Sequence, residues 1–384
     1  MWKSIAANGI TLLILALVVV GGLIAWGQAQ YVAQGPLEAP ICLRVESGST
    51  MRRVSRQLDE AGAVSNVSVF RAGADYSGKA RDLKAGSFLV PERASMEEIV
   101  DIVTRGGRST CGTEVLYRVG VTGQTIEVRE LDPETNRFVV KTEFDPSADE
   151  APEDYAAVRE EADTRYRIAV AEGVTSWQIV EALKAADFLS EPVEDVPPEG
   201  VLAPDSYEVR AGALVANLLE EMQTRQEVRL AEAWAERAEG LPISSPEEAL
   251  ILASIVEKET GVPEERRTVA SVFVNRLRQG MKLQTDPTVI YGVTQGQGVL
   301  GRGLRQSELR RETPWNTYVI EGLPPTPIAN PGLASIEAAL DPEETDLIFF
   351  VADGSGGHAF ARTLAEHNAN VAKWRAIEAE QANQ

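Results

Sequence analysis

Residues 244–263 read SSPEEALILASIVEKETGVP. Ser244 or Ser245 can cap a helix, Pro246 suits its first turn, and Glu247 and Glu248 face the positive end of its dipole. Gly261 and Pro263 mark its end. Between them ALILASIV is apolar except for Ser254, so this helix is expected to be buried on nearly every side. Glu257 follows without a break and falls in the last turns. There the dipole disfavours a negative charge and apolar neighbours would desolvate it, and both effects favour a protonated carboxyl near neutral pH. A protonated carboxylic acid in an apolar groove is what protonation of a glycosidic oxygen requires. The plainer reading is an ion pair with Arg276 or Arg278 on the next helix.

Upstream, residues 213–239 have helical composition and break at Gly240-Leu241-Pro242. Before them an internal repeat organises the chain. VESGSTMRRVSRQLDEAGAVS (45–65) and VAEGVTSWQIVEALKAADFLS (170–190) align at a constant offset of 125 residues, pairing Gly48 with Gly173, Thr50 with Thr175, Val54 with Ile179, Leu58 with Leu183 and Ala61 with Ala186. Each copy predicts a short strand, a glycine turn, a capping threonine and an amphipathic helix. The first copy continues through a second helix near residues 66–75, the strand GSFLV (86–90) and a helix opened by Ser95-Met96-Glu97-Glu98. This strand–helix–helix–strand order resembles LysM-like domains, a resemblance that implies binding of GlcNAc-containing glycans; any small α+β scaffold is the alternative. Between the copies, residues 114–143 alternate as strands do, and residues 145–163, rich in Asp, Glu, Ala and Pro, read as a solvated linker.

At the N-terminus, ITLLILALVVVGGLIAW (10–26) is uncharged. A helix from about residue 5 to Trp26 is long enough for a ~30 Å hydrocarbon core, with Trp2, Trp26 and Tyr31 at the interfaces. This predicts a membrane anchor. The alternative is a cleaved signal peptide ending near Gly27-Gln28-Ala29, and both readings place the remainder outside the cytoplasm. Cys42 and Cys111 bracket the first module and are either a disulfide or two unrelated thiols.

Composition excludes other classes. A formal charge of −21, with no basic patch, repels a phosphate backbone, so nucleic acid is not expected as a partner. Two histidines, and cysteines without metal-ligand spacing, give no metal site; no cofactor is expected. Gly354-Ser355-Gly356-Gly357 lacks the Lys-Ser/Thr of a phosphate loop and reads as either a ligand-approaching loop or a hairpin turn.

Four stretches, ILASIVEKET (251–260), SVFVNRLRQGMKLQTDPTVIYG (271–292), WNTYVIEGLPPTPIANPG (315–332) and FFVADGSGGHAFARTLAEHN (349–368), closely resemble, in this order, the YceG-like (MltG) family of endolytic murein transglycosylases. The resemblance is dense over 202–374. It implies a single-pass inner-membrane protein with its catalytic domain in the periplasm, peptidoglycan glycan strands as substrate, cell-wall synthases as partners, and Glu257 as the catalytic acid. Residues 112–164 look like an insertion, and Leu202-Ala203 stand where the family often has bulkier aromatics. Gln284, Thr285, Asp286, Tyr291, Asn316, Tyr318, Asn330 and His358 lie in the motifs and are expected to bind substrate.

The expected architecture is α+β: anchor at 1–31, LysM-like module at 41–106, insertion with strands and acidic linker at 112–165, second LysM-like unit and connector at 166–212, and a mainly helical catalytic domain with short strands at 213–384. Three functions compete. A lytic transglycosylase needs one acid, because the 6-hydroxyl of the same MurNAc ring attacks in place of water. A muramidase on the same groove needs a second carboxylate ~5 Å or ~6.5–9.5 Å away; Glu259 leaves the helix ~200° from Glu257, so Asp286 is the candidate. The third is a non-catalytic glycan-binding tether.

Overall fold

A computed structural model describes the backbone of residues 2–105, 109–161 and 163–381. Met1 of the expected cytoplasmic tip, Gly106 at the end of the first module, Ala162 of the 112–165 segment and residues 382–384 lie outside the described residues, as does the side chain of Trp2. The fold is α+β and divides into two compact units. The first comprises Met1–Val115, Glu127–Glu143 and Ala151–Arg165; the second comprises Leu116–Ile126, Phe144–Glu150 and Tyr166–Gln384.

The first unit opens with helix α1 (Trp2–Val32). Its segment Ile10–Val32 is, among the described residues, the one stretch long and apolar enough to cross a membrane. Leu12 and Leu23 stand 67% and 61% exposed, as lipid-facing side chains would. Tyr31, expected at the membrane interface, lies near the end of this segment. Its ring lies on the bare Cα of Gly73 and packs against the core of the following module.

That module runs β1 (Ile41–Val45), α2 (Met51–Glu60), α3 (Val67–Tyr76), β2 (Gly86–Val90) and α4 (Met96–Thr104). Local chemistry sets the helix starts: Thr50 accepts from Arg53 N, Asn66 from Ser68 N and Val69 N, and Ser95 and Glu98 form a reciprocal capping box. β1 and β2 pair antiparallel, Ile41 opposite Val90 and Val45 opposite Gly86. Val54, Leu58, Phe70, Phe88 and Ile99 fill the core. Cys42 and Cys111 form a disulfide across 69 residues.

Three strands follow, β3 (Thr113–Val119), β4 (Gln124–Asp132) and β5 (Arg137–Phe144), as the alternation predicts. The acidic stretch expected as a solvated linker instead carries α5 (Glu153–Arg159). Tyr155 of this helix is 1% exposed, and Asp163 beyond it pairs with Arg44 at 2.8 Å and accepts from Ser87 Oγ at 2.5 Å. Composition concealed this because one buried ring anchors a segment otherwise dominated by acidic and small residues.

The second repeat begins with β6 (Arg165–Val170) and α6 (Ser176–Ala185), followed by β7 (Leu189–Ser190), β8 (Ser206–Val209) and β9 (Ala213–Leu214). Its turn reproduces the first copy: Gly48 and Gly173 have φ of 76° and 78°, and Thr175 caps α6 as Thr50 caps α2. The copies diverge after that helix. β8 returns antiparallel to β6, Tyr166 opposite Val209, with no second helix between α6 and β7.

The rest is mainly helical: α7 (Val215–Ala235), α8 (Pro246–Glu259), α9 (Arg266–Arg278), α10 (Asp286–Thr294), α11 (Gln306–Leu309) and α12 (Leu333–Leu340), then the hairpin β10 (Phe349–Ala352) and β11 (His358–Ala361), and α13 (Leu364–Gln381). Leu252, Ile255 and Val256 of α8, Val269 and Phe273 of α9, and Ile336 and Ala339 of α12 share one core.

Candidate active site

Helix α8 positions the site. Ser245 Oγ accepts from Glu248 N at 3.3 Å, Pro246 occupies the first turn, and every residue from Ala249 to Val256 is buried. The helix emerges at its two ends, with Glu247 exposed in the first turn and Glu257, Lys258 and Glu259 partly buried in the last. Ser254 also ties in a distant loop: its hydroxyl donates to Ile251 O at 2.7 Å and accepts from Ile328 N at 3.0 Å. That bond brings the end of the PPTPIANPG loop against α8, where Gly332 N donates to Glu257 Oε2 at 3.0 Å. Gly332 is the N-cap of α12, so the Glu257 carboxylate sits at the positive end of a second helix.

The surroundings of Glu257 are therefore polar, which corrects the expectation of an apolar groove. Glu172, from the turn after β6, lies over the same glycine: a Cβ built on Gly332 would fall 1.7 Å from Glu172 Oε1. Burial raises the Glu172 carboxyl above its usual range, the Glu257 charge adds to this, and Arg266 and Arg229 oppose it. Arg266 Nη2 stands 3.6 Å from Glu172 Oε2. Lys258 donates to Gly173 O at 3.2 Å, and burial lowers its pKa against the pull of Glu257 and Glu199. Neither arginine of the ion-pair reading is engaged with Glu257. Arg276 donates to Ile348 O, Lys282 O and Leu283 O, and Arg278 to Asn275 Oδ1 and Gly240 O.

The enclosure expected at Glu257 occurs two residues later. Thr285 Oγ1 donates to Glu259 Oε1, and desolvation raises the Glu259 carboxyl, with Asp286 adding to the shift and His358 and Arg276 opposing it. Glu257 and Glu259 thus meet different partners on different sides of α8, as two residues of helix require.

The expected substrate-binding residues separate into groups. Gln284 and Asp286 are exposed and Thr285 between them is buried. Tyr318 OH donates to Asp286 Oδ1 at 2.6 Å, and Arg276 Nη1 reaches Gln284 Oε1 at 3.5 Å, forming one polar face beside Glu259. Tyr291 is elsewhere: its hydroxyl donates to Glu199 Oε2 at 3.2 Å, and its ring lies 5.7 Å from that of Trp315. His358 is held by Glu265, which accepts from its backbone N at 2.9 Å and meets Nδ1 at 2.7 Å.

Asn316 and Asn330 are fully buried, and their amides are consumed by the protein itself. Asn316 Nδ2 donates to Glu308 O, Leu309 O and Arg311 O, while its Oδ1 accepts from Tyr318 N. Asn330 clasps the second repeat, donating to Val174 O at 3.0 Å and accepting from Leu202 N at 2.9 Å. Both are structural rather than glycan-facing. Asn316→Ala is accordingly expected to cost about 1–3 kcal/mol of stability, the penalty of buried groups left unpaired. Thermal unfolding checks the loss, and KM for glycan below the melting range should not change.

Sequence reasoning missed Glu172, Glu199 and Arg266. Glu199 accepts from Ser176 N at 2.8 Å and from Asn330 Nδ2 at 3.3 Å, and desolvation raises its carboxyl. A signal for Glu172 existed in the repeat: the first copy has Ser47 at its position, so an acid before the turn glycine is particular to the second copy.

The YceG-like family matches residues 43–373 of the chain. The chain is similar to the endolytic murein transglycosylase of Streptococcus pneumoniae serotype 2 (strain D39 / NCTC 7466), with 27% identity over 94% of this chain and 64% of that protein. It therefore spans just under two thirds of that relative's length. Over 119 residues, 31% of this chain and 32% of the relative, it is 44% identical to the endolytic murein transglycosylase of Bacillus subtilis (strain 168). Among solved structures it is similar to a YceG-like protein of Listeria monocytogenes, with a TM-score of 0.46 and 24% identity, covering 86% of this chain and 98% of that one.

Proposed function

Because the chain belongs to the YceG-like family, we propose that it is a membrane-anchored lytic transglycosylase that cuts peptidoglycan strands internally, between MurNAc and GlcNAc, and leaves 1,6-anhydroMurNAc ends. The observation that carries this reading is the state of Glu257. Gly332 N holds Oε2 at 3.0 Å, and among the described residues Oε1 accepts no hydrogen bond, leaving it to reach a glycosidic oxygen. The buried body of α8 fixes the carboxyl in place, so its proton can be delivered without reorganisation.

Glu257 gives that proton to the leaving GlcNAc oxygen as the bond to the MurNAc anomeric carbon breaks. The 6-hydroxyl of the same ring closes on that carbon, and its proton passes to a carboxylate on the same face, Glu257 itself in the simplest case. Gln284, Asp286 and Tyr318 offer hydrogen-bonding groups for sugar hydroxyls and acetamido groups. The module at 41–106 is taken as a LysM-like element that holds the strand. The apolar segment Ile10–Val32 and the Cys42–Cys111 disulfide, a bond that persists in oxidising compartments, support a periplasmic catalytic unit anchored in the inner membrane, within reach of the synthases.

One observation favours a second reading. Glu172 supplies the further carboxylate that a muramidase would need, in place of Asp286. Mass spectrometry of uncrosslinked glycan strands treated with the full chain in detergent distinguishes the readings. New ends lighter by one water are expected. Free reducing ends would establish hydrolysis, and strands bound but never shortened would leave a tether.

A further inference from the structure

The carboxylate of Glu172 is placed where only a glycine at 332 leaves room for it. We propose that Glu172 is a second catalytic residue of this site, accepting the proton of the MurNAc 6-hydroxyl while Glu257 protonates the leaving oxygen. This rests on the transglycosylase reading above. The argument is geometric. The leaving oxygen is on the β face of the sugar ring, and a 6-oxygen that bridges to C1 must arrive on that same face. Proton donor and proton acceptor must then stand side by side, and the two carboxyls that share Gly332 do so: one takes its N–H, the other lies over its Cα. Carboxylates on opposite faces of the ring, as in an inverting hydrolase, would not share one backbone residue.

The step balances. The C1–O4 bond breaks and O4 takes the Glu257 proton; the O6–H bond breaks, O6 bonds to C1, and its proton goes to Glu172. One proton then returns to Glu257, directly or through water, and the pair is reset.

The charges around the pair suit this division. Glu172 faces Glu257 from α8, Arg266 from the start of α9 and Arg229 from α7, and Lys258 stands beside Glu257. Arg266 is 14% exposed and its Nη2 stands 3.6 Å from Glu172 Oε2, so its positive charge lies close to Glu172. The guanidinium supports an anionic Glu172, and the raised carboxyl makes that anion a stronger base than an exposed glutamate. Half of the Glu172 side chain, 44%, remains open to solvent and substrate.

The test compares Glu172→Gln, Glu172→Asp and Glu257→Gln in the full chain, reading kcat, KM and the pH profile of kcat/KM on uncrosslinked strands, with unfolding temperature as the control for folding. Glu172→Gln should lower kcat about 10²-fold with little change in KM, the effect of losing a positioned base. It should also remove the acidic limb of the pH profile, which reports deprotonation of that base. Glu172→Asp, which restores a carboxylate on a shorter stem, should recover part of the rate and the limb. If Glu257→Gln is inactive while Glu172→Gln keeps the wild-type rate, or slows with an unchanged pH profile, the second catalytic residue is overturned and the transglycosylase reading stands. If Glu257→Gln still cuts, the site itself is misassigned and the proposal falls with it.

Discussion

Glu257→Gln is expected to give a folded protein that binds glycan strands and cuts them about 10²–10⁴-fold more slowly than wild type, the usual cost of removing a positioned acid. An amide fills the same space at the end of α8, and its oxygen can still accept from Gly332 N, so the packing of the loop against the helix is retained. It cannot give up an acid proton, and the barrier to leaving-group departure rises accordingly. Glu259→Gln is the control. Its carboxyl is raised by desolvation, so the folded state holds that proton more tightly than the unfolded chain does. The associated stability is complete below the unfolded carboxyl value of about 4.3 and is lost as pH rises through the raised folded value. The amide has no proton to lose, so Glu259→Gln should show a flatter fall of melting temperature above about pH 5 than wild type. Its cutting rate should change far less than that of Glu257→Gln. Rate assays on strands of defined length and melting curves between acid and neutral pH check both halves.

Removing the Cys42–Cys111 bond is expected to have the second-largest effect, on stability rather than chemistry. The bridge closes 69 residues around α2, α3, β2 and α4. On chain entropy alone a loop of that length contributes roughly 4 kcal/mol. Part of the local geometry survives without it: Thr110 N and Cys111 N both donate to Ser87 O, at 2.8 and 3.2 Å, and Ser109 Oγ accepts from Ser87 N at 2.9 Å. The Cys42→Ala/Cys111→Ala protein should therefore fold, with hydrogen-exchange protection of β1 and β2 amides lowered by up to about 10³-fold. Protection equal to wild type would mean that the bridge contributes nothing to this unit. Helices of the second unit, α8 among them, should keep their protection, because the bond lies wholly within the first unit.

Much of this protein is legible in the chain because the signals are local. The bounds of α8 follow from Ser245, Pro246 and the glycine after its last turn, and the repeat shows itself in Gly173 and Thr175 because a turn and a cap are completed within four residues. The apolar run at the N-terminus needs only its own length and composition. The direction of Glu257 relative to Glu259 likewise follows from helix geometry alone. What lies around each carboxyl does not. Gly332, which holds Glu257, is 75 residues away, and Val174, which receives the Asn330 amide, is 156 residues from it. Only the tertiary structure decided that the enclosed acid is Glu259, that Asn316 and Asn330 spend their amides on the backbone, that a ring at Tyr155 orders an acidic segment, and that Glu172 stands beside Glu257. Periodicity and capping are properties of neighbouring residues. Desolvation and hydrogen-bond satisfaction are properties of whatever segments the fold brings against a side chain, and no spacing in the chain encodes them.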